Sequence, residues 1–311
     1  RIHAETLIAL GVTHRIQKSF KTAEKILSKG LKVFEAIPDN YGIATALHKL
    51  GYVRRWNGHY DAAEKDFLRA KEIMEKLGDR IGIRNIFDNL GWVCSAREDY
   101  KTAEEYFECS RVISEKLNDR WNWAITLNNL GLTSVQAGES VKAEKYFRAA
   151  VPLREKLGNK RQVFYALYRL LNVLLDQDKG ADVLGQIGRI EELQAGLKGH
   201  LANLYRQTLL LRLSLCKEDS ADVFSHLEST RDVMALIKKP LLYIEDSPAV
   251  AFTDTARFLA ARGEMEQALA LVNETERILG DRRHPCLLEP DEFRKELQNM
   301  QDNFPPQSDT A

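Results

Sequence analysis

Seven histidines, four cysteines and 45 acidic residues give this 311-residue chain ample material for acid–base or metal chemistry, yet their spacing organises none of it. His3, His14, His48, His59, His200, His226 and His284 form no HExxH pattern and pair with no cysteine. Cys94, Cys109, Cys216 and Cys286 lie far apart, without CxxC spacing, and read as small buried hydrophobes in a reducing compartment. There is no GxxxxGK[ST] loop and no GxGxxG after a strand. His48 and Asp88 hold neighbouring equivalent positions, but no serine or cysteine nucleophile accompanies them, so a structural hydrogen bond is the reading. What does recur, at one fixed interval along the chain, is a set of side chains suited to recognition. One position runs Ala9, Lys49, Asn89, Asn129, Arg169; the position before it runs Ile8, His48, Asp88, Asn128, Tyr168. A third runs Val12, Tyr52, Trp92, Leu132, Asn172, with Asn85, Arg55 and Tyr165 farther along. Asparagine offers both a donor and an acceptor to a peptide backbone, and stacked copies would make a ladder. No catalytic residue, metal ligand or cofactor is assigned.

The elements that must position these side chains follow from the same period. Leu10-Gly11, Leu50-Gly51, Leu90-Gly91 and Leu130-Gly131 share one register, and twelve residues after each glycine comes Ala23-Glu24, Ala63-Glu64, Ala103-Glu104 or Ala143-Glu144. Leu77-Gly78-Asp79, Leu117-Asn118-Asp119 and Leu157-Gly158-Asn159 keep step. In the second unit, Tyr41 to Trp56 carries Ile43, Leu47, Leu50 and Tyr52 at helical spacing, which predicts helix A. A turn at Asn57-Gly58-His59 leads into helix B, Asp61 to Leu77, with Ala63, Phe67, Ala70 and Ile73 on one face. Asp79, Asp119 and Asn159 are predicted N-caps of the following A helices. Glu24, Glu64, Glu104 and Glu144 are expected in the first turn of helix B, facing its positive end. Glycine inside a helix costs about 1 kcal/mol relative to alanine, so its repetition implies compensation by close packing of A on B. Phe67, Phe107 and Phe147 are expected to fill the gap towards the next repeat. A unit of this size cannot bury its own apolar face, and neighbours must stack.

The fifth unit keeps the spacing but places Leu171 at the glycine and Val183 at the alanine; its helices are expected at Arg161–Asp176 and Ala181–Leu197. Further pairs are expected at His200–Lys217 with Ala221–Lys238, and at Ala249–Arg262 with Met265–Leu279, after an insertion at Leu241–Pro248. An amphipathic segment, Asp291–Asp302, is expected to cap the end of the array, and Pro152 to bend or loosen the fourth helix B. The predicted architecture is all-α: a right-handed α-solenoid of about seven helix-turn-helix repeats with a C-terminal capping helix. Residues 1–159 would hold the regular repeats 1–4 and residues 160–240 the divergent repeats 5–6. Residues 241–311 would hold divergent repeat 7, the cap and a disordered tail. The chain starts at Arg1 inside repeat sequence and ends in a Pro305-Pro306 segment of frayed character, so the expectation is a C-terminal piece of a longer protein.

The combination Leu50-Gly51, Tyr60, Ala63-Glu64, Phe67 and its copy Leu90-Gly91, Tyr100, Ala103-Glu104, Phe107 resembles the tetratricopeptide repeat. The family unit is usually about 34 residues. At about 40 residues, the step from Gly51 to Gly91, this one is similar to the long repeats of kinesin light chains, bacterial peptide-sensing regulators and the sensor arms of signalling ATPases. The resemblance covers Ile2–Asn159 and weakens beyond. It implies that A helices line a concave groove, where an asparagine or cation at Lys49, Asn89, Asn129 and Arg169 hydrogen-bonds an extended peptide. His48, Asp88, Asn128, Tyr168, Tyr52, Trp92, Arg55 and Tyr165 would flank it. The same residues admit a plainer reading: asparagines satisfying nearby loops, Tyr52 and Trp92 in the core, Arg55 solvated. The carboxylate clamp of co-chaperone repeats would need a lysine and an asparagine where this chain has Ile8 and Val12, or His48 and Tyr52.

Lys+Arg and Asp+Glu are both 45, so a whole-chain basic footprint for nucleic acid is missing. No apolar run reaches the length of a membrane span. The expected function is therefore a cytoplasmic, non-catalytic interaction module that binds a peptide or protein segment, with no direct nucleic-acid or membrane contact. Two rivals are the sensor arm of a larger signalling ATPase or transcription regulator, and a homo-oligomeric scaffold; the oligomeric state is open.

Overall fold

Every described element of the chain is a helix, and in the regular repeats the helix ends coincide with a capping or left-handed turn residue at a recurrent position. The computed structural model describes residues 1–197, 200–217, 220–235, 247–262, 264–279 and 290–303. In chain order these form α1 (Ile2–Ile16), α2 (Phe20–Ala36), α3 (Asn40–Trp56), α4 (Tyr60–Leu77), α5 (Arg80–Ala96) and α6 (Tyr100–Lys116). Then follow α7 (Arg120–Gln136), α8 (Ser140–Lys156), α9 (Lys160–Leu175), α10 (Gly180–Leu184) and α11 (Ile187–Ala195). The remainder are α12 (His200–Cys216), α13 (Ser220–Ala235), α14 (Ser247–Ala261), α15 (Met265–Leu279) and α16 (Pro290–Asn303). The chain divides into two compact units, Arg1–Thr133 and Ser134–Ala311. Each is a stack of helix-turn-helix pairs, and the class is all-α repeat solenoid. Residues 241–246 of the expected insertion, Gly263, Cys286 and the tail beyond Asn303 lie outside the described residues, while Ser247 and Pro248 open α14.

Starts and stops follow local chemistry. Asp39, Asp79, Asp119 and Asn159 each accept a hydrogen bond from the backbone N–H three residues on, at 2.9, 2.8, 3.1 and 3.2 Å. Each A-to-B turn places one residue in the left-handed region: Lys18, Gly58, Glu98, Gly138 and Asp178, with φ from 57 to 77°. The fifth copy, Asp178, shows that the divergent unit keeps the turn even though it lost the Leu-Gly and Ala-Glu signature. The left-handed conformation strains a residue with a Cβ by about 1–2 kcal/mol, so Glu98→Gly should stabilise the fold by up to about 1 kcal/mol. Urea unfolding measures this, and a lower midpoint in the variant would contradict it.

In the first unit the core is continuous from Ala4 to Val93, built from Ala23, Leu27, Leu47, Leu50, Ala63, Phe67 and Leu90 among others. The interior glycines sit under large side chains: a Cβ on Gly51 would lie 2.8 Å from the Phe67 ring, and one on Gly91 2.8 Å from Phe107. Each phenylalanine thus packs on the glycine of its own hairpin, where it had been expected to reach towards the next repeat. Glu24, Glu64 and Glu144 also depart from expectation. They sit past the first turn of their helices and clasp the following turn or A helix: Glu24 on Arg54 at 3.0 Å, Glu64 on Arg97 at 2.7 Å, Glu144 on Lys179 at 2.7 Å. These pairs tie neighbouring repeats together, and being partly exposed each contributes at most about 1 kcal/mol.

In the second unit the fifth helix B is not the single helix expected at Ala181–Leu197. It breaks at Gly185-Gln186 into α10 and α11. Leu171 occupies the glycine position and is fully buried, as is Val183 at the alanine position, so a B helix cannot seat as closely as in the earlier repeats. A cleft of about 480 Å³ opens between α8, α9, α10 and α11. Helix α8 runs unbroken through Pro152, which lines that cleft. Near the end of the chain, α14, α15 and α16 share a core with Phe293 and Leu297 of the capping helix buried in it. Among the described cysteines Cys94 is buried, while Cys109 and Cys216 are exposed, a correction to the reading of all four as core residues.

Candidate functional site

The side chains singled out in the first unit stand on the A helices α1, α3, α5 and α7. Helix α3 contacts both α1 and α5 directly. The repeat register brings equivalent positions on α3 and α5 side by side. Asn89 is buried, and its amide nitrogen donates to the Asn85 carbonyl at 2.7 Å and lies 3.2 Å from His48 Nε2. Both amide hydrogens are thereby engaged within the protein, and Asn89 has only its oxygen to offer a ligand. The partner of His48 is this asparagine, where Asp88 had been considered. Asp88 instead accepts from Thr126 at 3.4 Å and from Ser110. Asn128 and Asn129 are both buried. Trp92 is half-buried, its ring edge-on to Phe107 at 5.6 Å, and so serves the core with one side.

The electrostatics match these contacts. Burial, and secondarily Lys49, pulls the His48 imidazole down to about 4, which suits a neutral ring accepting from Asn89. Burial pushes Asp88 up to about 6, against the pull of Ser110, Arg84 and Thr126. A group with a lowered folded pKa, such as His48, contributes stability that is present above its unfolded value of about 6.5. That contribution is lost as pH falls through the folded value. Asp88 has the opposite sign, its contribution being lost as pH rises through about 6. His48→Gln should therefore remove part of the acid-side loss. The stability advantage of wild type over the variant should shrink by about 1–2 kcal/mol between about pH 7 and 4.5, read from urea unfolding across that range. A constant difference would refute the assignment.

Around Tyr52 a second group forms. The Arg15 guanidinium lies 4.9 Å from the ring centroid and that of Arg55 5.1 Å, with Arg55 also 5.3 Å from the Trp56 ring. Tyr52 and Trp56 are 6.3 Å apart, and Trp56 stacks on Phe20 at 6.3 Å. Lys49 is half-buried one turn before Tyr52, its ammonium held below the usual lysine range by burial and then by Arg15. Arg15 escaped the sequence reading, although it stands in register with Arg55, four residues after Gly11 as Arg55 is after Gly51. That shared register was the available signal.

Tyr165, Tyr168 and Arg169 belong to the second unit. Tyr168 is fully buried, bonded to Thr208 at 3.2 Å and stacked on Phe164, so it is a core residue and cannot face a groove as expected. Arg169 is largely enclosed, and burial with the nearby Arg154 pulls it down to about 10. Tyr165 is half-buried, edge-on to Tyr205 at 5.7 Å. The cleft beside Pro152 has an apolar floor of Leu167, Leu170, Leu171 and Leu174. Its charged rim is paired within itself, Arg189 with Glu155 and Arg148 with Asp182.

The stacked hairpins and glycine–aromatic seats define the class of fold: a helical-repeat array of tetratricopeptide type. Residues 42–116 match the family model described as tetratricopeptide repeat. Among solved structures, the chain is similar to the apo form of RapI, with a TM-score of 0.72 at 14% identity, over 96% of this chain and 99% of that one. It is similar to a Rap protein complexed with competence and sporulation factor, with a TM-score of 0.59 at 15% identity, over 96% and 76%. It also resembles a signal transduction ATPase with numerous domains that carries a tetratricopeptide repeat sensor, from Pyrococcus horikoshii, with a TM-score of 0.66 at 15% identity. That match covers 75% of this chain and 36% of the ATPase chain. A search of the curated proteins returns no match. At these identities the likeness is one of fold. Among the described residues, no helix is long and apolar enough to cross a membrane.

Proposed function

We propose that the chain is a non-catalytic interaction module that binds a peptide or protein segment along the A helices α1, α3, α5 and α7. One observation carries this reading: polar and aromatic side chains of successive A helices lie beside each other on one face. Lys49, Tyr52 and Arg55 stand on α3, His48 joins Asn89 across to α5, and Trp92 keeps part of its ring exposed. Such a face recognises an extended segment through backbone hydrogen bonds and apolar pockets. The Rap complex supports it as a precedent for ligand binding on a similar fold. In the second unit, considered by itself, Arg169 and Tyr165 on α9 are kept as candidate ligand contacts, and the buried Tyr168 drops out.

A displayed random-peptide library panned on the whole chain tests the reading. Selected peptides should bind the Asn89→Ala/Asn129→Ala variant at least about tenfold more weakly, about 1.4 kcal/mol. A control on a B helix, Arg69→Gln, should bind as wild type does. Loss of the Asn89 hydrogen bonds also costs about 1 kcal/mol of stability, so binding is measured well below the melting midpoint. Equal binding by wild type and the double variant would remove this face from consideration.

The second reading, a sensor arm of a larger signalling ATPase, is favoured by the likeness to the sensor-bearing ATPase from Pyrococcus horikoshii. A full-length reading frame with an upstream nucleotide-binding loop would support it, and one that starts at the first repeat would not.

A further inference from the structure

The charges of the first unit are sorted by face. Arginines packed between elements away from Tyr52 have carboxylate partners: Arg54 has Glu24 and Asp66, Arg84 has Asp119, and Arg97 has Asp61 and Glu64. Arg15, Lys49 and Arg55 have none within 4 Å among the described residues, although the chain as a whole carries equal numbers of acids and bases. All three are partly buried, and all interact with Tyr52. The Nε of Arg55 is buried and has no hydrogen-bond partner. Three like charges gathered on a half-buried surface repel one another and are poorly hydrated, and the tyrosine face compensates only in part. A carboxylate entering between them would meet two guanidinium forks and an ammonium. Beside it, the Phe20–Trp56 stack offers an apolar surface, with Trp56 half-exposed.

We infer that Arg15, Lys49 and Arg55, arranged around Tyr52 on α1 and α3, form an anion subsite that selects a carboxylate-bearing, acidic segment as ligand. This deepens the reading given under the proposed function and rests on it. The positions differ from those of the co-chaperone clamp, which would fall on Ile8 and Val12 or on His48 and Tyr52.

The test uses fluorescein-labelled hexaglutamate with an amidated C-terminus, alongside hexalysine, an amidated glutamine peptide and a glutamine peptide with a free C-terminus. Hexaglutamate should bind the whole chain with an affinity that falls as salt rises, and hexalysine should not bind. The triple variant Arg15→Gln/Lys49→Gln/Arg55→Gln should bind hexaglutamate at least tenfold more weakly. Its melting midpoint should equal or exceed that of wild type, because like charges have been removed. Binding of the amidated acid peptide assigns the site to side-chain carboxylates. Binding only of the glutamine peptide with a free C-terminus would assign the site to a terminal carboxylate and overturn the acidic-segment reading. Equal binding by wild type and variant, displacement by inorganic phosphate at matched ionic strength, or a lowered melting midpoint in the variant would overturn it. If panning yields neutral peptides that depend on Asn89 and Asn129 but not on the three cations, the subsite fails while the broader reading stands.

Discussion

Replacing Arg212 with methionine is expected to destabilise the protein by about 3–5 kcal/mol, the range for removing one partner of a buried ion pair. Arg212 is buried on α12 and reaches three ways. Its Nη2 meets Asp176 at 2.6 Å, Nε meets Asp254 at 3.1 Å and Nη1 meets Asn172 at 3.0 Å. The acceptors lie at the end of α9 and on α14, so one side chain fastens the A helices of three successive repeats. Burial pulls the Arg212 guanidinium down, but Asp176 and Asp254 together raise it above its ordinary value. Asp254 is raised even with that partner present, because burial outweighs the attraction. Without Arg212 the two carboxylates lose their shared cation, and Asp254 is left with the longer contact to Arg257 at 3.8 Å. Urea unfolding followed by circular dichroism reads the loss. Adding Asp176→Asn and Asp254→Asn to the variant should recover a large part of it, since the cost lies in the stranded charges. A loss below about 1 kcal/mol in the single variant would mean that water screens the cluster.

The second large effect concerns Gly91, where two physical effects oppose each other in sign. Helix propensity favours Gly91→Ala by about 1 kcal/mol. Packing opposes it: the new methyl would lie 2.8 Å from two carbons of the Phe107 ring and 2.9 Å from a third. Phe107 is fully buried and bounded by Trp92, so the ring has nowhere to retreat. Overpacking costs about 1–3 kcal/mol, and the net expectation is destabilisation. Phe107→Leu alone also destabilises, but it should lose less in the Gly91→Ala background, giving a favourable coupling in the double-mutant cycle. Gly51 and Phe67 should behave alike. Greater stability of Gly91→Ala than of wild type would show that α5 and α6 adjust without cost.

Asp254, Asp66 and Asp88 share one feature: each is held above the ordinary carboxylate range chiefly by burial, Asp66 and Asp88 to about 6. They sit where neighbouring helices meet, and this sort of placement separates what a linear reading reaches from what it misses. Helix positions, the capping role of Asp79, Asp119 and Asn159, and the hairpin repeat were legible because each depends on residues within one turn or on strict recurrence at the repeat period. A recurrent Leu-Gly and Ala-Glu imposes the same local solution each time, and the resemblance to the tetratricopeptide repeat was legible from that recurrence.

Partner identity was not legible, because it depends on how one repeat lies on the next. Glu64 has the composition of a helix-start residue, yet its partner is Arg97, 33 residues on. Asn89 has the composition of a ladder residue, yet its donors are committed to His48 and Asn85. Tyr168 shares the register of His48 and Asp88, but Leu171 in place of glycine accompanies a broken helix B and a different core, in which the tyrosine is enclosed. The grouping of Arg15 with Lys49 and Arg55 around one tyrosine likewise exists only once α1 and α3 are side by side. Backbone form in this protein is set by short-range steric and hydrogen-bonding preferences carried in each repeat. Charge pairing and burial are set by distances between repeats, which no single segment encodes.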